Sequence, residues 1–167
     1  MERGFTLIEL LVVLVIISLV SAFVAPRITA PIGNLQLKTA SKKIAGAMRY
    51  SRSLAVSEKE SRVCFFDFDN QQMTIFSGSA FDAAEPEDVL ASGPAEVQYK
   101  LPKGVFLEKA VSGDIDVEAG LFQIIFFTNG STSGGEILLT NDRGRSSSIQ
   151  IDFITGMVAL TAPEHAG

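Results

Sequence analysis

The stretch Gly4–Pro26, "GFTLIELLVVLVIISLVSAFVAP", decides how the rest of the chain is read. From Phe5 to Ala25 only Thr6, Glu9, Ser18 and Ser21 interrupt an apolar run. As an α-helix rising about 1.5 Å per residue it would extend ~31 Å, the thickness of a bilayer's hydrocarbon core. Glu9 is out of keeping with that run. An acid inside a membrane helix costs about 2.5–3.5 kcal/mol, so its presence points to a function.

A cleavable secretory signal is the obvious competitor, because "SAFVA" offers small residues before a cut after Ala25. Glu9, however, breaks the apolar core such a signal needs. Pro26 would then follow the scissile bond, where its fixed φ and missing N–H are unfavourable. The run therefore reads as a helix that stays on the protein.

The whole chain has 167 residues, 47% of them hydrophobic, which is a one-domain length with an apolar front end. The net charge of −5 hides an asymmetry. Arg27–Arg62 carries eight Lys/Arg against two Glu, and Val63–Gly167 carries five against fifteen acids. An acidic body repels polyanions, which disfavours nucleic acid as a partner of the C-terminal part. The single cysteine, Cys64, cannot form an internal disulfide, and in "RVCFFDF" it reads as a small buried strand residue.

Past the apolar run, Pro31 and Gly33 weaken or bend any continuing helix. From Leu35 a second helical pattern sets Leu37, Ala40, Ile44, Met48 and Leu54 or Ala55 on one face, with Lys38, Lys42, Arg49 and Arg52 on the rest. That face should pack on a globular body. After Lys59 the period changes to that of strands. "RVCFFDF" and "QMTIF" flank a turn at "DNQ", and "EVQYKL", "VFLEKA", "LFQIIFF", "EILLT", "SSIQIDFI" and "MVALT" follow. About eight short antiparallel strands are expected, with "NDRGR" and "TG" as turns. Residues 77–95 form the longest loop, a place to look for partner contacts.

No catalytic constellation emerges. "GSTSGG" spaces Gly130 and Gly135 like a phosphate loop, but Glu136 stands where the lysine belongs and a strand follows. Asp67, Asp69 and Asn70 resemble the start of a calcium loop without its later glycine and glutamate, and a hairpin turn accounts for them. His165, the only histidine, lies at the C-terminus, a poor place for a general base. The chain does not read as an enzyme, and no cofactor or metal is expected.

The charged leader "MERG" followed by "FTLIELLVVLVIISLV" resembles the leader and first helix of type IV pilins and type II secretion pseudopilins. That resemblance implies a prepilin peptidase that cuts between Gly4 and Phe5 and N-methylates Phe5, with Glu9 as the acid used in filament assembly. Physical reasons support each residue. Glycine lets an extended backbone enter a protease site unobstructed. The cut creates an ammonium at Phe5 one helical turn from Glu9, and at about 4 Å and an effective dielectric near 20 such a pair attracts by roughly 4 kcal/mol before desolvation.

The C-terminal half sharpens the branch. "FFTNGSTSGGEILLTNDRGRSSSIQIDFITGMVAL", Phe126–Leu160, resembles the β region of the GspH/FimT minor pseudopilins and minor pilins, with Asn129-Gly130 and Thr155-Gly156 among its recurring elements. The resemblance implies a minor pseudopilin of a type II secretion pseudopilus, which helps export folded proteins. Its partners would be the major and other minor pseudopilins, the peptidase/methylase and an inner-membrane assembly platform. It also implies a single-pass inner-membrane protein with a periplasmic body, although the cations after the span would by themselves turn the helix round. The alternative is a FimT-like minor pilin that binds DNA during uptake through Arg143 and Arg145. Ser147 departs from that arginine pattern, and the acidic body weighs against it.

The expected fold class is α+β: a long N-terminal α-helix, membrane-spanning in its first half, packed on an antiparallel β-sheet or β-sandwich globular body. The divisions are a leader over 1–4, a transmembrane or filament-core helix over 5–25, its amphipathic continuation over 26–58 and a periplasmic β domain over 59–167.

Overall fold

In the computed structural model, residues 6–81, 95–161 and 164–165 are described, those at 22–32, 80–81 and 164–165 by their backbone alone. A single helix, α1 (Leu7–Glu58), runs through Pro26, Pro31 and Gly33 without interruption. Each proline removes one backbone donor, yet its φ near −65° is already helical, so the helix loses hydrogen bonds there without ending. Lys59, in the left-handed conformation at φ 58°, closes it.

Ten strands follow among the described residues. One antiparallel sheet has the order β3 (Val97–Lys100), β2 (Gln72–Ser77), β1 (Arg62–Asp67), β6 (Leu121–Phe126). The other has the order β10 (Glu164–His165), β8 (Arg145–Ile151), β7 (Gly135–Asn141), β4 (Val105–Ser112), β5 (Ile115–Val117), with β9 (Val158–Leu160) also pairing β8. This is the expected α+β architecture. The strand patterns of the sequence all correspond to strands; β5 and β10 are additional, too short to show alternation. A helical turn, α2 (Gly78–Phe81), follows β2, and the rest of the long loop, 82–94, lies outside the described residues.

The core explains the arrangement. Leu37, Ala40, Ile44, Met48 and Ala55 of α1 are all fully buried, as their spacing predicts. They meet Ile137, Leu139 and Ile149 of one sheet and Cys64, Phe66, Ile75, Ile124 and Phe126 of the other in one cluster. Alternation along β1 sends Cys64 and Phe66 into that cluster, while Val63 and Phe65 join Phe76 in a second one. Cys64 is buried, and desolvation pushes its thiol up to about 12. Asp67 accepts hydrogen bonds from the backbone and side-chain amides of Asn70, confirming the hairpin turn. Gln71, just past it, ties the two sheets together: its Oε1 accepts from Leu107 N at 2.6 Å beside a bulge in β4.

Candidate functional site

The distinctive feature is the division of labour along α1. Every large apolar residue from Leu7 to Val20 is exposed, none less than 48%. A helix that is apolar all round needs an apolar surrounding, which the body does not supply. Burying each such side chain is worth about 1.5–3 kcal/mol relative to leaving it exposed, so on the order of 10 kcal/mol is unclaimed along this segment. Among the described residues no helix is long and apolar enough to cross a membrane. The apolar run of the sequence begins before the described residues and continues past Ser21, the last whose side chain is described in this part of α1.

Thr6 is the N-cap of α1, and its Oγ1 accepts from the Glu9 amide at 3.3 Å. Glu9 therefore stands at the third helical position, and Thr6-Leu7-Ile8-Glu9 has the sequence form of a capping box. The Glu9 carboxylate is exposed in the first turn, where the helix macrodipole favours an anion. Gly4 and Phe5 lie outside the described residues. Sequence reasoning missed Thr6, although a threonine three residues before a glutamate at the head of an apolar run is the signal for it.

The second half of α1 is fixed to the body at three levels. Near its exit from the body, Asn141 donates from Nδ2 to Asn34 Oδ1 at 3.2 Å. Higher up, Arg49 donates from Nε and Nη2 to the Val158 carbonyl at 3.2 and 2.8 Å. Near the far end, Arg52 Nε donates to the Gly130 carbonyl at 3.0 Å. Arg49 and Arg52, which the helical pattern assigns to the solvent side, are thus anchors. Their guanidinium groups donate to a carbonyl of β9 and to one in the loop after β6.

These anchors give Asn129-Gly130 and Thr155-Gly156 a reason. Gly156 is held at φ 64°, and a Cβ there would fall against the Gly130 carbonyl and within 2.6 Å of Arg52 Nε. Gly130, at φ 87°, lies against Arg52 and Val56. Gly156 leaves no room for a side chain, whereas Gly130, whose Cβ would make only ordinary contacts with Arg52 and Val56, is favoured by its left-handed φ. Asp152 shapes the second loop: its carboxylate accepts from Ile154 N, Thr155 N and Thr155 Oγ1, and these bonds hold it below the usual carboxylate range.

Just beyond α1, Arg62 is buried with Glu58, Glu60 and Glu96 around its guanidinium group. Its Nε is 3.0 Å from Glu96 Oε2 but unaligned for a hydrogen bond, so that contact is coulombic. Glu60 also accepts from Ser79, and this bond, ahead of Arg62, holds its carboxyl at about 2.

Arg143 lies in the β7–β8 turn and Arg145 opens β8, both at the Asn34 level of α1, where Asn141 Oδ1 accepts from both their amides. The structure does not bring them near Glu9. Among the described residues no cluster of His, Cys, Asp and Glu is arranged to hold a metal ion.

A helix with an unpartnered apolar front and a rear half packed on antiparallel sheets defines a pilin-like protein. The amino-terminal residues 1–25 match the prokaryotic N-terminal methylation motif, and residues 40–155 match the family described as type II transport protein GspH. The chain belongs to that GspH family. It is 27% identical over 156 residues to the type II secretion system protein H of Xanthomonas campestris, covering 93% of this chain and 81% of that protein. Two structures of the minor pseudopilin EpsH from the type II secretion system of Vibrio cholerae share the fold. One aligns with a TM-score of 0.55 at 11% identity over 76% of this chain and 97% of its own. The other aligns with a TM-score of 0.56 at 12% identity over 79% and 97%.

Proposed function

We propose that this chain is a minor pseudopilin, anchored in the inner membrane by the front of α1 and carried into a periplasmic pseudopilus that helps export folded proteins. The observation that carries this is the exposed apolar front of α1, continuous with a half that is bolted to the body. One rigid element can then transfer its apolar half from lipid to the helices of neighbouring pseudopilins while the body stays folded. The major and other minor pseudopilins supply those helices, and an inner-membrane platform would drive the transfer.

Processing fits the residues at the head of the chain. A prepilin peptidase would cut after Gly4, and methylation of the new amine at Phe5 keeps its positive charge. Thr6 then caps a helix that begins two residues after an ammonium. Glu9 offers that ammonium a carboxylate, in its own chain or in a staggered neighbour. Losing one partner of such a buried pair costs about 3–5 kcal/mol, so the penalty of Glu9→Ala should fall on assembly rather than on folding of the body.

Two measurements test this reading. Mass spectrometry of the protein from its host should find Phe5 at the N-terminus with one added methyl group; an N-terminus at Pro26 would refute processing of this kind. Cross-linking to the major pseudopilin should fall for Glu9→Ala and Glu9→Gln and recover in part for Glu9→Asp. No observation favours DNA as the partner of Arg143 and Arg145, which sit on an acidic body beside the base of the packed helix.

A further inference from the structure

The buried residues Leu37, Ile44 and Ala55 lie on one side of the rear half of α1. At about 100° per residue, Gly46 stands at the centre of the opposite side. It is exposed, and a Cβ there would meet nothing within 4 Å. Glycine is among the least favourable residues inside a helix, and at this position neither a positive φ nor a close contact within the chain calls for it. Lys38, Lys42 and Tyr50 flank it on the same side, all exposed, Tyr50 to 57%. From Arg27 to Ser57 the chain contains no acid, and among the described residues no carboxylate pairs with Lys38 or Lys42. Lys43 and Arg49 are by contrast engaged, Lys43 over the Tyr99 ring at 5.2 Å and Arg49 on the Val158 carbonyl.

We infer that this face of α1 receives the acidic body of a neighbouring pseudopilin, with the partner's main chain against Gly46 and its carboxylates at Lys38 and Lys42. The inference rests on the filament reading proposed above and adds to it the surface by which the rear half of the helix meets a neighbour. It gives Gly46 a reason: with no Cβ, the helix backbone is open to close approach by another chain. The two unpaired ammonium groups beside it select an acidic partner and reject a basic one. Tyr50 adds a large amphipathic side chain of the kind enriched at interface centres.

Position along α1 decides among anionic partners. Gly46 is 21 residues beyond Ala25, about 32 Å along the axis, whereas the headgroup layer extends only about 5–8 Å past the apolar core, so lipid does not reach it. A neighbouring body does. The helix is uninterrupted, its front lies beside neighbours' helices in the proposed assembly, and the same helix carries its outer face up among their bodies. This chain itself exemplifies how acidic such a body is, with fifteen acids against five bases in Val63–Gly167. A nucleic-acid duplex laid along α1 would come against that acid-rich body as well, which repels it.

Photo-cross-linking tests it, with benzoylphenylalanine placed at Ser53, exposed on the same face, in the full chain expressed in its host beside the other pseudopilins. A second probe at Val12 reports on the apolar front. The expected result is a cross-link from Ser53 to another pseudopilin that falls about tenfold in Gly46→Leu and in the pair Lys38→Glu, Lys42→Glu, the loss of one central contact of an interface. Leucine is a better helix former than glycine and the space around Gly46 is open, so Gly46→Leu should melt no lower than the original chain. A lower melting point would show that the glycine serves the fold itself and overturns the inference. If Val12 cross-links to another pseudopilin while Ser53 does not, or the Ser53 cross-link is indifferent to both variants, the surface is refuted and the filament reading stands. If neither probe cross-links, the filament reading fails and the surface with it. A Ser53 cross-link to a second copy of this chain alone, or salt-sensitive retention of duplex DNA that the lysine pair variant loses, overturns the choice of partner.

Discussion

Replacing Gly156 with alanine tests the claim that two glycine-bearing loops lock α1 to the body. Gly156 and Gly144 both have positive φ, 64° and 69°, so alanine at either incurs the left-handed penalty of about 1–2 kcal/mol. Their surroundings differ. Nothing lies within 4 Å of a Cβ at Gly144, whereas one at Gly156 would meet the Gly130 carbonyl and Arg52. The Gly130 carbonyl is backbone, so the loop must retreat from α1 and the charge-assisted bond from Arg52 is lost with it. Such bonds contribute about 1.5–3 kcal/mol. At about 2–4 °C per kcal/mol for a chain of this size, Gly156→Ala should melt roughly 3–12 °C below Gly144→Ala. Thermal denaturation of the full chain in mild detergent, followed by circular dichroism, measures the difference. Arg52→Ala should lose the same bond, so combining it with Gly156→Ala should be less than additive. Equal melting points for the two glycine variants would show that the contact between the loops is not tight, and the explanation of Gly156 would fall with it.

The remaining expectations concern stability more broadly. Ile44→Ala, at a fully buried core position of α1, should destabilise by about 2–5 kcal/mol, whereas exposed Lys42→Ala should change stability by less than about 0.5 kcal/mol; denaturant titration separates them. Glu60 binds its proton at about 2 in the folded chain instead of its ordinary 4.5, so its contribution is complete above pH ~4.5 and is lost as pH falls toward ~2. Glu60→Gln should therefore flatten the melting temperature against pH in that window, and an unchanged slope would contradict the assignment. A chain beginning at Thr29 should be soluble and unfold cooperatively, because the anchors at Asn34, Arg49 and Arg52 are all retained; aggregation without a transition would place the boundary elsewhere.

What the sequence made legible follows the range of the interactions involved. The buried face of α1 and the alternation in β6, β7 and β8 are local periodicities that match the observed burial, whereas β1 and the centre of β2 are buried on both faces, which no alternation announces. Strand β5 pairs with β4 across a tight turn and β10 pairs with β8, and a three-residue or two-residue element carries no period of its own. The roles of Arg49, Arg52 and Asn34 were hidden because their partners are distant in the chain. A cation on the polar side of a helical pattern looks like solvent exposure until a carbonyl more than 75 residues away is placed beside it. The glycines at 130 and 156 were visible as recurring elements, but only the structure shows why they are glycines: a left-handed φ at Gly130, and at Gly156 a left-handed φ with the Gly130 carbonyl and Arg52 closed upon it.

Glu9 shows how one residue can satisfy two physical arguments at once. Sequence reasoning read its acid as the partner of a Phe5 ammonium, and the structure adds that it stands third in a helix capped by Thr6. Both roles place a hydrogen-bonding side chain in the first turn, and they differ in where a loss appears. Capping is intrachain, acts before assembly and is served by glutamine as well as by glutamate, so a capping role makes Thr6→Ala fray the first turn at a cost of about 1 kcal/mol and leaves Glu9→Gln close to the original chain. Pairing acts where water is excluded, so it makes Glu9→Gln far worse than Thr6→Ala, and only once the subunit is among other helices. The two arguments also reinforce each other. A capped first turn fixes the Glu9 carboxylate relative to the helix axis, which is the condition under which an ammonium, its own or a neighbour's, can find it without further loss of entropy.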